Sequence, residues 1–218
     1  MIRLFIGHDP RECVGLHVFI QSVLERASVP VSITPLSSAY LPRADRVNGS
    51  NHFTFARFAV PRLCGYVGHA IFMDGSDMLM RADIAELDAL FDPLLAVQCV
   101  QHDYETKFPR KYLGTSMECP NINYPRKQWA SCMLINAASY VWQNAQNDRD
   151  TLQFKFIPDD KIGALPVEWN WLADEQGPNP DAKVLHYTTG IPAFPDHAHV
   201  AHADEWLAMR DRAMTATG

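Results

Sequence analysis

Two carboxylates stand three residues apart in "AIFMDGSDMLMRADI" (residues 70 to 84), where Asp74 and Asp77 interrupt an apolar run. A strand that ends at the rim of a sheet displays its last side chains in a crevice, and a close carboxylate pair there suits a hard divalent cation. The same four residues, Asp-Gly-Ser-Asp, are also good turn chemistry on any protein. Two other apolar runs end in groups able to join such a site: "IRLFIG" (2 to 7) leads into Gly7, His8 and Asp9, and "AKVLHYTTG" (182 to 190) carries His186 followed by Gly190. Mn²⁺ or Mg²⁺ takes oxygen ligands, and one imidazole is tolerable for Mn²⁺, so Asp74, Asp77 and His186 form a coherent ligand set. A single histidine at a strand end is more often structural than a ligand, and here the aspartates upstream and the glycine-containing loop after it tip the balance toward a ligand.

These groups need elements to position them. "IRLFIG" reads as a central strand, "ECVGLHVFIQSVLERA" as a helix and "SVPVSITPL" as a second strand, so the chain opens β-α-β, the start of a parallel α/β sheet. "FTFARFAVPRLCGY" (53 to 66) predicts a helix interrupted at Pro61, "HAIFMD" a third strand, "IAELDALFD" a short helix stopped by Pro93, and "LLAVQCV" (94 to 100) a fourth strand. Residues 102 to 127 are loop-like and rich in Pro, Asn, Lys and Arg; a long irregular segment inside a compact domain is more often functional than idle. "WASCMLIN" (129 to 136) predicts a strand, "AASYVWQNAQ" (137 to 146) a helix, residues 182 to 190 a last strand and "ADEWLAMRDRAM" a terminal helix.

With 218 residues, 47% of them hydrophobic, the chain has the size of one well-packed domain. A net charge of −6 gives no global reason to expect nucleic acid as a partner, so any anionic ligand must be met locally. No apolar run approaches the length of a membrane span, and the N-terminal stretch is too short for a signal peptide, which together suggest a cytoplasmic protein. Five scattered cysteines without a Cys-x-x-Cys pair suggest neither a zinc site nor a disulfide framework.

In order and spacing the motifs resemble those of GT-A glycosyltransferases of the family 8 type, which transfer a sugar from a nucleotide-sugar with retention of anomeric configuration. The resemblance runs from Ile2 to about Phe194. It is carried by "FTFARFAVPRLCGYVGHAIFMDGSDMLMRADIAEL", similar to the family's aromatic-Ala-Arg helix, strand, Asp-x-Asp motif and Asp-Ile-x-x-Leu segment. "WASCMLIN" sits where the family has its Asn-Ser-Gly strand, "LPVEWN" (165 to 170) is similar to Leu-Pro-x-x-Trp-Asn, and "HYTTGIPAF" to the terminal His-x-x-Gly-x-x-Lys-Pro-Trp motif. The resemblance implies one GT-A domain over residues 1 to 218, with a Rossmann-like, mixed but mainly parallel sheet flanked by helices. It also implies a UDP-sugar donor, a glycan or lipid-linked acceptor, and a place in the cytoplasm or at the inner face of a membrane.

It further implies roles. Asp77 is the principal metal ligand, with Asp74 reaching the ion or the ribose and His186 completing the set. Gly7, His8, Asp9, Arg57, Asp74 and Gly190 contact the donor, the Arg57 fork being suited to oxyanions. An acidic group beneath the anomeric carbon would stabilise the developing cation; Asp160 is favoured, with Asp159 and Asp150 as alternatives. Trp129, Trp169 and Lys111 are candidates for the acceptor, although core packing is the commoner role for a tryptophan. Two departures stand out: the metal motif is one residue longer than Asp-x-Asp, and the lysine that meets the diphosphate is missing, leaving Arg57, Lys107, Lys111 or Lys183 to substitute. A sugar-nucleotide-binding domain without catalysis is an alternative, as is a metal-dependent phosphohydrolase, although Asp-Gly-Ser-Asp-Met does not supply that chemistry's Asp-x-Asp-x-Thr/Val. A nucleotidyltransferase would want a glycine-rich opening loop that "IGHDPRE" lacks.

Overall fold

A computed structural model describes residues 1–43, 49–145 and 148–215. The opening apolar run is strand β1 (Ile2–Gly7), followed by helix α1 (Cys13–Leu24) and strand β2 (Val31–Leu36), which pairs with β1 in parallel. The break expected at Pro61 falls earlier. A 3-10 turn, Ala56–Ala59, gives way to helix α2 (Val60–Leu63), and Pro61 sits in its first turn, where a missing N–H has no helical partner to lose. Strands β3 (His69–Met73) and β4 (Met78–Met80), helix α3 (Ile84–Asp88) and strand β5 (Val97–Cys99) follow.

The long middle segment carries only the hairpin of β6 (Arg110–Lys111) and β7 (Cys119–Pro120). "WASCMLIN" divides into a 3-10 turn and strand β8 (Cys132–Asn136). The helix expected over residues 137 to 146 is instead a 3-10 turn, Tyr140–Asn144, with the Trp142 indole donating back to the Asn136 carbonyl at 2.9 Å; Gln146 lies outside the described residues. Helix α4 (Arg149–Leu152), strands β9 (Ile162–Ala164) and β10 (Trp171–Leu172), helix α5 (Ala173–Gln176), strand β11 (Val184–His186) and helix α6 (Ala203–Met214) complete the chain.

The main sheet has the order β2-β1-β3-β8-β5-β9. All its pairs are parallel except those of β8, which runs antiparallel to both β3 and β5. Successive residues of β1 and β3 feed opposite faces: Phe5 and Phe72 enter one core with Met133 and Trp142, while Leu4, Ile6, Ile71 and Met73 enter the other with Phe19 of α1. A continuous apolar run is what a strand covered on both faces requires. A second small sheet, β10-β11-β4, packs with Trp206 and Met209 of α6 into a third cluster. Among the described residues no helix is long and apolar enough to cross a membrane.

Candidate metal and donor site

The site forms because two strand ends are brought together by pairing. Asp74 directly follows β3, and Asp77 directly precedes β4. Since β4 pairs antiparallel with β11 in a register that sets Met78 opposite His186, Asp77 is delivered to the imidazole. The Asp77 carbonyl accepts from the Tyr187 N–H at 2.8 Å. The extra residue of the motif, Gly75, turns the chain at φ +69°, and a Cβ there would lie 2.0 Å from Ile6 Cγ2, so neither the backbone nor the space admits a side chain. Ser76 Oγ ties the turn to the Gly7 carbonyl at 2.8 Å.

Asp74, Asp77 and His186 are all buried, and one ligating atom from each lies within 4.8 Å of the others. His186 Nε2 is 3.4 Å from Asp77 Oδ2. Its other nitrogen, Nδ1, is 2.9 Å from Asn170 Oδ1, while Asn170 Nδ2 donates to Ser131 Oγ at 2.9 Å and Ser131 Oγ donates to the Gln128 carbonyl. This chain of donors directs Nδ1–H at Asn170 and leaves Nε2 as the nitrogen that faces the Asp77 carboxylate. A positive charge belongs between them: a proton on Nε2, or a metal ion that displaces it.

The oxygens support the same conclusion. Asp77 Oδ1 is buried without a hydrogen-bond partner. Asp74 Oδ1 is 2.7 Å from Arg57 Nη1, an ion pair without a hydrogen bond, since Nη1 donates to the Ala130 carbonyl at 2.6 Å. Burial raises the Asp74 carboxyl to about 6, with Arg57 opposing and Asp77 adding to the rise. Burial also pulls the His186 imidazole down, but Asp77 and Asp74 outweigh it and hold the group above its usual value. An unpartnered Asp77 oxygen, the Asp74 carboxylate and an imidazole nitrogen that gives up its proton to a metal fit Mn²⁺ or Mg²⁺.

The group borders a cleft of about 400 Å³ lined by Arg57, Asp74, Asp77, Lys111, Lys127 and Thr188, among others. Of the four cations that could replace the missing diphosphate lysine, Arg57 and Lys111 line this cleft. Lys107 Nζ donates to the Glu175 carbonyl at 2.6 Å, and Lys183 pairs with Glu86 over the Trp169 ring.

The remaining sequence candidates are dispersed. Gly7 is bordered by its own chain, with Phe53 and the Asp74 carbonyl less than 3 Å from where a Cβ would stand. His8 stacks on Tyr40, and its buried Nδ1 has no partner. The Asp9 carboxylate is taken up by Arg11 and the His52 N–H, which bring it down to about 2 despite burial. Gly190 abuts His197. Asp150, Asp159 and Asp160 are exposed and do not line the cleft; Asp150 pairs with Lys155 and Asp159 with Arg126. Trp169 is 1% exposed and offers no face to a ligand, and the Trp129 ring is covered by Arg126.

Three groups that the sequence did not single out stand close to the site. Asn170 orients the imidazole. Asp174 is half-buried and accepts from Thr188 Oγ1 and the Thr189 N–H. Glu12, at the start of α1, is 1% exposed with both carboxylate oxygens unpartnered, and burial followed by Asp77 and Asp9 pushes it well above the carboxylate range.

No protein-family model matches the chain. Protein CDI of Arabidopsis thaliana is 37% identical over 223 residues, covering 94% of this chain and 84% of that relative. Among solved structures, the bifunctional glycosyltransferase WbbM aligns with a TM-score of 0.66 at 17% identity over 96% of this chain, which spans 49% of WbbM. GlyE of Streptococcus pneumoniae TIGR4 aligns at 0.64 and 14% identity, over 99% of this chain and 62% of GlyE. The galactosyltransferase LgtC, solved with donor and acceptor sugar analogues, aligns at 0.61 and 12% identity over 99% and 97% of the two chains. At these identities the likeness establishes the GT-A fold.

Proposed function

We propose that this chain, which belongs to the family of Arabidopsis Protein CDI and carries the GT-A fold, is a metal-dependent glycosyltransferase of the family 8 type, moving a sugar from a UDP-sugar to a hydroxyl of a glycan or lipid-linked acceptor. One observation carries the reading: two buried carboxylates with orphaned oxygens and an oriented imidazole, at the strand ends that border a cleft. We place the enzyme in the cytoplasm or at the inner face of a membrane.

In this reading Asp74, Asp77 and His186 hold Mn²⁺ or Mg²⁺, which when bound supplies positive charge to the departing diphosphate. Arg57 holds the Asp74 carboxylate in place from within the core, braced by the Phe53 and Phe72 rings, and Lys111 brings a second cation to the cleft. His8 and Asp9, at the end of β1, lie on the nucleotide side. Transfer with retention needs no strong protein base if the departing phosphate deprotonates the acceptor, which agrees with a cleft not lined by Asp150, Asp159 or Asp160.

The test is thermal stability with UDP, GDP, CMP or ADP, each with Mn²⁺, Mg²⁺ or EDTA. UDP should stabilise the protein only with metal, and both Asp77→Ala and His186→Ala should lose that gain. Folded variants that bind UDP and Mn²⁺ like the parent would sink the reading. Metal-dependent binding without donor hydrolysis or transfer would favour a domain that binds sugar nucleotides and does not turn them over.

A further inference from the structure

Lys127 has the features of a side chain held ready for an anion. It is 5% exposed, yet it lines the same cleft as Asp74 and Asp77. Its neighbours on both sides, Arg126 (φ 58°) and Gln128 (φ 65°), are side-chain-bearing residues in the left-handed region, a costly backbone that is found at ligand clamps. The ammonium donates to Asn121 Oδ1 at 2.7 Å and lies 5.6 Å from the centre of the Tyr104 ring. Among the described residues no carboxylate lies within ion-pair distance of it.

The nearest acid reaches Lys127 only through neutral groups. Glu175 accepts from Thr106 Oγ1, and Thr106 Oγ1 accepts from Asn121 Nδ2 at 2.8 Å, which leaves Asn121 Oδ1 aimed at the ammonium. The network therefore holds Lys127 in place without neutralising it, and among the described residues only Asn121 Oδ1 accepts from the ammonium, with the Tyr104 ring beside it. A buried, uncompensated charge is unfavourable until a counter-ion arrives. Lys111 shares the cleft and lies in the field of Asp74 and Glu12, whereas the charged groups around Lys127 are Glu175, Lys111 and Asp174. Lys111 therefore acts on the site carboxylates, while the acids that act on Lys127 are Glu175 and Asp174.

We propose that Lys127 receives a carboxylate or phosphate on the sugar side of the substrate, so that the cleft selects an acidic sugar, while Lys111 meets the donor diphosphate. The inference rests on the donor-site reading above. It distinguishes this cleft from one built for a neutral hexose, because an anion supplies the counter-charge that a neutral hydroxyl cannot.

The experiment is calorimetric titration of the full chain with Mn²⁺. One arm compares UDP-glucuronate with UDP-glucose. The other adds glucuronate, glucose 6-phosphate or glucose to protein saturated with UDP. UDP, which carries no sugar, is the reference ligand, and its binding alone reports on the donor reading. The parent should favour the acidic compound in one arm by roughly 10- to 100-fold, the range of a charge-assisted contact, and that arm identifies donor or acceptor as the source. Lys127→Met should erase the preference whether or not the melting temperature falls, since it removes the charge and also takes from Asn121 Oδ1 its donor. Equal binding of acidic and neutral compounds in both arms would overturn the proposal. So would a Lys127→Met protein that melts several degrees lower with its preference intact, which would assign the lysine a purely structural role.

Discussion

Replacing Asn170 tests whether the imidazole is oriented for a metal or merely packed. Asn170 is fully buried, accepts from His186 Nδ1 and donates to Ser131 Oγ, each at 2.9 Å. Asn170→Ala strands one buried donor and one acceptor, at roughly 1–3 kcal/mol. For a chain of this size that is a fall of about 3–10 °C in melting temperature. It also frees the ring to carry its proton on Nε2, the nitrogen that faces Asp77, and loss of such an outer partner typically weakens a metal site about 10- to 100-fold, or ~1.4–2.7 kcal/mol. Asn170→Asp separates the two effects: it restores an acceptor for Nδ1–H while burying one more negative charge. Melting curves in EDTA and Mn²⁺ titrations with UDP present should show Asn170→Ala impaired in both, and Asn170→Asp destabilised but holding Mn²⁺ within several-fold of the parent. If Asn170→Ala loses stability while its Mn²⁺ affinity is unchanged, the tautomer argument is refuted.

Two further substitutions probe the helix behind the site. The Glu12 carboxyl stays neutral in the fold well above the pH at which it ionises in the unfolded chain, so the folded state binds the extra proton and stability falls as pH rises above the ordinary carboxylate range. Glu12→Gln has no proton to lose: in EDTA its melting temperature should match the parent's near pH 4.5 and exceed it increasingly toward pH 8, and a gap that stays flat or reverses would contradict the assignment. A Cβ at Gly15 would sit 1.8 Å from the Ser76 carbonyl oxygen, so Gly15→Ala must push α1 off the Asp-Gly-Ser-Asp turn. A loss of at least about 3 kcal/mol, or roughly 6–12 °C, is expected, together with a smaller metal-dependent gain; an unshifted melting curve would show that the helix slides freely.

What the sequence disclosed was whatever depends on runs and on order. β1 and β3 are largely apolar stretches, and the sequence around β11 ends in His186 before a glycine-containing loop, so these strand ends, and hence Asp74 and His186, could be located without coordinates. β4 is only three residues long, too short to show a period, and the pairing that carries Asp77 to His186 is a tertiary event. Burial of polar groups was invisible for the same reason. Glu12 follows "DPR" and reads as an ordinary acid at a helix start, Lys127 sits among four other basic residues and reads as solvated, and Asn170 appears within "LPVEWN" with nothing to mark its partner. The aspartates at 150, 159 and 160 illustrate the converse: chain order suggested them, but their segment stays in solvent.

The reversed direction of β8 has a consequence for how such a protein can change. β5 ends at the rim that holds the carboxylates, and β8, running the opposite way, starts from that same rim. The intervening thirty or so residues therefore leave and return at one edge and need no crossover beneath the sheet, unlike the link between two parallel neighbours. That excursion carries Lys111 and Lys127, and it is anchored by its ends, by the Tyr112 N–H on the Thr189 carbonyl and by side-chain bonds of Thr106 and Lys107 to Glu175 and of Arg126 to Asp159. It is a detachable part in the geometric sense: its length and charge can vary without disturbing a single ladder of the main sheet, and exchanging it between relatives is a direct way to exchange what the cleft accepts.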